Sequence, residues 1–587
     1  MLVCNSYAML LALLRQYIRP YRGFVATLIV LQTSSTAASL YLPTLNASII
    51  DEGIARGDAA AILRLGLTML GVTALQMACA VGAFYCGTRT GTGFGRDLRA
   101  AMFDRILSFS ERETTRFGTA TLLTRTTNDV RQIVFLVQTS ATVLVIAPLT
   151  CIGGVVLAIR QQAELTWLLL VCIPVLAAID YWIISRLLPL FRRMQQLIDA
   201  LNKVLRDQLS GVRVIRAFTR EPLERHRFAA TSTALSATSL RSGNRQALLA
   251  PTTSLVVNLA CLALIWFSGP RIDHGQMQVG SLAAFLAYFA QILMAVSMAT
   301  MTAMVLPRAA ICANRITEVL STHSTVTDPA QPAFPTQGIT GSLQLDAVAF
   351  RYPGADRPVL RDICLTASPG TTTAIVGSTG SGKSTLISLI CRLHDVTGGA
   401  VLVDGIDVRA YQTERLWSAI GLVPQRGHLF TGTIADNLRY GARPDQVIDE
   451  AQMWAALRLA DADEFVRAHP EGLEQRVAQG GINFSGGQRQ RLAIARAVVR
   501  QPAIYLFDDA FSALDVHTEA RIRSALAATA SDSVTVIVTQ RISTARFADQ
   551  VIVIDEGRIA GAGSHESLLT ECPVYAEFAA SQSLAAR

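Results

Sequence analysis

The densest chemistry in the sequence is the run Gly377-Ser378-Thr379-Gly380-Ser381-Gly382-Lys383-Ser384, followed by Thr385. Its glycines let successive backbone N–H groups wrap a phosphate chain, and a helix starting at the lysine adds its positive end. Lys383 can reach β and γ phosphates, and the Ser384 hydroxyl can hold Mg²⁺. A glycine-rich turn with no ligand is the bland reading, and it leaves the lysine and the hydroxyl unexplained. Further on, the apolar run 503–507 ends in Asp508, a carboxylate suited to the Mg²⁺ side of such a site. About twenty residues earlier, Ser485-Gly486-Gly487-Gln488 opens an expected helix over 489–500, whose first N–H groups can also face a phosphate.

These groups need strands and helices in alternation. Residues 342–352 alternate like a strand, and 371–376 read as a buried strand delivering the glycine-rich loop into a helix. Ahead of them a weakly patterned stretch with Pro329, Pro332 and Pro335 reads as a linker. The rest of the chain has another character. Of its 587 residues 51% are hydrophobic and 16% charged, and the apolar excess falls before residue 310. Six stretches are long enough to cross a bilayer as helices: 24–49, 63–85, 134–158, 165–188, 248–267 and 279–306. A short interfacial helix is expected over 9–19, entering the first span, and a cleaved leader is not.

The fold class is therefore a multidomain membrane protein: a six-helix all-α transmembrane domain at 1–320, a linker at 321–341 and an α/β phosphate-loop ATPase domain at 342–587. The long connections 86–133 and 189–247 carry many arginines, among them Arg96, Arg125, Arg213 and Arg216, whereas the short loop around Asp51, Glu52 and Asp58 is acidic. By the positive-inside rule both long connections and both termini face the cytoplasm. The net charge of +8 sits between apolar runs rather than on one face, which argues against nucleic acid as a partner. Ten scattered cysteines without paired spacing argue against a disulfide framework or zinc site. Within the spans, Gln32, Gln76, Asn258 and Gln291 suit bonds to neighbouring helices. Asp180 is costlier to bury, and two readings stay open: a cavity wall, or a position near the inner interface or a partner helix.

With these motifs together, residues 342–575 resemble an ABC ATPase domain, and the chain as a whole resembles an exporter-type ABC half-transporter of the type IV fold. Phe117-Gly118 with Thr124 to Asp129, and Leu209 to Phe218, resemble the two intracellular loops that dock as short coupling helices on the ATPase domains. The resemblance implies that Tyr352 stacks on adenine, that Gln425 links Mg²⁺ and the attacking water to the membrane domain, and that Asp515 touches the partner's site. It implies ATP and Mg²⁺ as cofactors and a lipid bilayer as surroundings. It also implies two ATPase domains paired head to tail, each site using one chain's phosphate loop and the other's Ser485-type signature.

Two positions depart from the family pattern. Asp509 stands where a catalytic glutamate is expected, one methylene short, and Gln540 stands where a histidine is expected. Glutamine can hydrogen-bond a phosphate but carries no proton or charge. Slow hydrolysis at this chain's own site is expected, with a second, complete half-transporter as partner. A homodimer with two slow sites, an importer of the same fold and a nucleotide-gated regulator are the alternatives. The apolar spans suit hydrophobic, amphipathic or lipid-like cargo.

Overall fold

The computed structural model describes residues 2–303, 305–333, 335, 338–443 and 446–585. Met304, in the sixth expected span, and Phe334, Thr336 and Gln337, in the expected linker, lie outside the described residues. The chain divides into two compact units, Met1–Leu107 with Thr119–Thr322, and Ser108–Gly118 with His323–Arg587.

The first unit is helical. Six candidate spans run over Tyr7–Ile54, Ala59–Leu107, Thr119–Leu165, Trp167–Ser210, Glu221–Asp273 and Val279–Thr300. The helix Ala59–Leu107 has 49 residues, about 74 Å at 1.5 Å per residue, more than twice a hydrocarbon core of about 30 Å. Spans therefore continue far beyond the bilayer, as the long arginine-bearing connections imply. Leu67, Leu70, Phe84 and Trp266 stay more than 60% exposed, which is costly in water and without cost against lipid tails.

The N-terminal helix is longer than the interfacial segment expected at 9–19. It covers Leu2–Ile18, buries Leu10 and Leu13, and packs on helix Leu306–Ser321 rather than only lying at an interface. The acidic short loop has a structural role: Asp51 accepts the Gly280 N–H at 2.7 Å and Asp58 accepts those of Ala60 and Ala61, satisfying donors left open at helix starts.

The second unit is α/β. Its six-stranded sheet runs, edge to edge, Arg558–Gly563, Gln550–Asp555, Thr372–Gly377, Val534–Thr539, Ile504–Asp508 and Ile420–Val423. All neighbours are parallel except the antiparallel pair at the Arg558–Gly563 edge. A smaller antiparallel sheet holds Leu360–Ala367, Leu343–Phe350, Gly398–Val403 and Ile406–Asp407. Strands Ile504–Asp508 and Val534–Thr539 are buried almost throughout, which explains why their sequences are continuous apolar runs without alternation. The described linker is pinned rather than loose: Thr340 donates to Asp404 at 2.6 Å, and Arg392 donates to the Thr327 carbonyl at 2.8 Å.

Candidate functional site

In an open parallel sheet the ligand crevice lies beyond the carboxyl ends of the strands. Register brings the chemistry there: Thr539 pairs with Val376, Val538 with Asp508, and Ile554 with Gly377. The loop leaving the central strand is shaped by its glycines. A Cβ on Gly377 would collide with the Ile554 carbonyl, and Gly382 sits at φ +101° as N-cap of helix Lys383–Ile390. Only glycine meets both demands without strain.

Lys383 is folded back under this loop, its Nζ donating to Gly377 O at 2.9 Å, Ser378 O at 2.6 Å and Ser381 Oγ at 3.3 Å. Burial pulls its ammonium below the usual value, opposed by the charges of Asp509 and Asp508. A phosphate oxygen, being charged, is a stronger acceptor than these and can replace them. Ser378, Thr379 and Gly380 form the exposed rim of the loop, and Thr385 bonds Tyr352 through their hydroxyls at 3.1 Å.

On the next strand ends, the Ser384 hydroxyl donates to Asp508 Oδ1 at 2.8 Å. Gln425 Nε2 donates to Asp509 Oδ2 at 3.3 Å. Burial pushes the Asp508 carboxyl above its ordinary range, with the Ser384 hydrogen bond opposing and the Asp509 charge adding. Burial raises Asp509 too, against the hydrogen bond from Gln425 and the charge of Lys383. A hydroxyl, an amide and two carboxylates make a hard-oxygen donor set of the kind Mg²⁺ takes alongside substrate phosphates. No group of three His, Cys, Asp or Glu suited to a metal exists among the described residues.

Asp509 has φ +48°, a left-handed conformation that Asp tolerates better than most side chains. Its N–H is tied to Val538 O, and its own carbonyl accepts the Ser512 hydroxyl at 2.7 Å. The backbone at Gln540 is held by Gln582, which donates to its carbonyl at 2.6 Å and accepts the Ile542 N–H at 2.8 Å. The Gln540 side chain is exposed.

Ser485 and Gln488 form a reciprocal cap on helix Gly486–Val498. The helix begins three residues earlier than the sequence pattern suggested, because this cap satisfies the first turn with two glycines inside it. Ser485 and Gly486 are exposed and Gly487 half-buried, away from contacts that would hide them from another molecule. Asp515 caps helix Val516–Thr529 by accepting the Thr518 N–H at 2.9 Å.

Three further residues had no motif to mark them. His394 packs edge-on to Tyr352 at 5.8 Å between ring centroids and lies 3.5 Å from Glu111, on the short helix Glu111–Phe117. Buried Gln490 accepts the Gly427 N–H at 2.8 Å and donates to the Pro424 carbonyl at 3.0 Å, bracketing Gln425. Arg541 donates to the Ser512 carbonyl at 2.8 Å and pairs with buried Glu519 at 3.3 Å.

Comparison with known proteins agrees with this geometry. Residues 25–296 match the family model of the ABC transporter transmembrane region, and residues 360–512 match that of the ABC transporter. The chain is 69% identical, over 98% of its length and 99% of the relative's, to "Uncharacterized ABC transporter ATP-binding protein Rv1273c" of Mycobacterium tuberculosis. It is 31% identical to the ATP-dependent lipid A-core flippase of Chromobacterium violaceum, over 96% of each chain. A solved structure of a bacterial Atm1-family ABC exporter with ATP bound superposes with a TM-score of 0.79 at 27% identity, covering 97% of this chain and 99% of that one. The chain belongs to the ABC transporter family, as an exporter-type half-transporter that fuses a six-span transmembrane region to an ABC ATP-binding domain.

Proposed function

We propose that this chain is the slow-site half of a heterodimeric exporter for hydrophobic, amphipathic or lipid-like compounds. The observation that carries the reading is a site complete for binding and altered for chemistry: Lys383, Ser384 and Asp508 stand together, with Asp509 and Gln540 in place of a glutamate and a histidine. ATP binds through the loop 377–385, with Tyr352 against adenine. Ser384, Asp508 and Gln425 would hold Mg²⁺, which when bound neutralises phosphate charge. Asp509 must orient water with a shorter arm, and a misplacement of about 1 Å costs on the order of 10²-fold in rate. Gln540 offers the γ-phosphate a hydrogen bond without charge.

The exposed Ser485 to Gln488 segment completes the partner's site, where hydrolysis runs at full rate. Two ATPs clamp the ATPase domains and shift the membrane helices, in the measure that nucleotide binds one state more tightly than the other. The slow site is then a standing clamp, and the fast site resets the cycle.

The test is purification of the tagged chain from its native membrane, with identification of copurifying chains and an ATPase assay. A second ABC half, whose glutamate→glutamine change abolishes turnover, is the expected result. A chain that purifies alone and hydrolyses ATP rapidly overturns the reading.

A further inference from the structure

Gln540 sits in the short connection between strand Val534–Thr539 and helix Ile542–Ala545. Its side chain is exposed and, among the described residues, has no hydrogen-bond partner, so its direction follows from its backbone. That backbone is gripped from outside the loop. The Gln582 amide donates from Nε2 to the Gln540 carbonyl at 2.6 Å and accepts the Ile542 N–H on Oε1 at 2.8 Å. The reverse orientation of the amide would set oxygen against oxygen, so its partners fix the assignment. Arg541, between the two gripped groups, is held as well: its N–H bonds Thr539 Oγ1 at 3.0 Å, and its guanidinium donates to the Ser512 carbonyl at 2.8 Å.

Gln582 arrives on helix Pro573–Ala585. Tyr575, Phe578, Ala579 and Gln582 recur at helical spacing and share one face. Tyr575 is fully buried, with its hydroxyl 2.7 Å from His565 Nδ1, and Phe578 and Ala579 pack against the cluster that holds Ile542 and Ala545. The apolar part of the face docks the helix beside the loop, and the amide one turn further on reaches the loop backbone. An apolar side chain at 582 would serve the docking and satisfy neither backbone group, so the glutamine meets a demand that docking does not make.

We propose that Gln582 is a positioning residue for this ATP site: by holding the backbone on both sides of Arg541 it aims Gln540 at the γ-phosphate, and so sets how strongly the site prefers a nucleoside triphosphate to a diphosphate. The inference rests on the reading that Gln540 meets the γ-phosphate. ADP lacks that phosphate and binds through the loop 377–385, which Gln582 does not touch, so its affinity is independent of the grip.

The experiment uses the tagged full chain, with any second half that copurifies, in nanodiscs. Photolabelling of this chain by radiolabelled 8-azido-ATP is competed with the non-hydrolysable analogue AMP-PNP and, separately, with ADP. Wild type is compared with Gln540→Ala, Gln582→Ala and Gln582→Glu, the last keeping the size and the acceptor but offering no donor to the Gln540 carbonyl. Expected is a preference for AMP-PNP that falls about tenfold in Gln540→Ala, as loss of a hydrogen bond to a charged group implies. Both Gln582 variants should lose about threefold or more of that preference, as part of the same contact, while ADP competes as in wild type. A wild-type preference in either Gln582 variant, beside a reduced one in Gln540→Ala, overturns the proposal alone. Equal losses for AMP-PNP and ADP in the Gln582 variants make Gln582 a prop of the fold and also overturn it. A preference that is absent in wild type or unchanged in Gln540→Ala overturns the γ-phosphate reading of Gln540, and the proposal with it.

Discussion

At the scale of single residues, on the proposed reading the site separates holding from hydrolysing. Lys383 is the one lysine in the ATPase region, and it is buried with three oxygen acceptors around it. Replacing it by alanine removes charge-assisted hydrogen bonds of about 1.5–3 kcal/mol in net worth. Lys383→Ala should therefore weaken ATP binding at this site by roughly tenfold to a hundredfold, read by titration with a fluorescent ATP analogue. On the same proposed reading, Asp509 and Gln540 govern the other property. In a background where the partner's site is silenced, Asp509→Glu with Gln540→His should raise turnover by about 10²-fold or more, since each restored group supplies acid–base or electrostatic help. Unchanged turnover would place the brake elsewhere. The left-handed φ of Asp509 makes glutamate slightly less comfortable there, so the double variant should lose a little thermal stability while gaining rate.

At the scale of elements, what positions these residues is a set of strand ends and one capped helix. Buried Gln490 ties helix Gly486–Val498 to both flanks of Gln425 through two backbone groups. Gln490→Ala leaves those groups unpaired, at a cost of about 1–3 kcal/mol, and should lower the unfolding midpoint of the ATPase region and blunt its response to nucleotide. Calorimetry with and without Mg-ATP checks both effects. The glycine-rich loop and its strand are legible in sequence because each is local: the residues that define them are neighbours in the chain. The chain of contacts from Tyr352 through His394 to Glu111 is not legible, because its members lie far apart in sequence and a lone histidine carries no spacing signal. The same holds for Gln490, which reads as an ordinary helix residue until the fold brings the Gln425 segment against it. The early start of the N-terminal helix escaped the pattern because its first residues are mixed in polarity.

At the scale of the whole molecule, six apolar helices and an ABC ATP-binding domain make a multi-pass membrane protein with its ATPase domain on the cytoplasmic side. The spans are legible from length and hydropathy alone, since lipid leaves backbone groups no partner but the helix itself. Asp180 is legible as costly to bury, with a cavity wall as one of two open readings, and the packed helices place it on a cavity that no other charged side chain lines among the described residues. The proposed asymmetry of two ATP sites is a property of an assembled pair. The most direct test is the steady-state ATPase rate of the purified complex after Asp509→Asn. An unchanged rate, with activity abolished when the partner's glutamate becomes glutamine, is predicted; a fall to background on changing Asp509 alone would contradict the account.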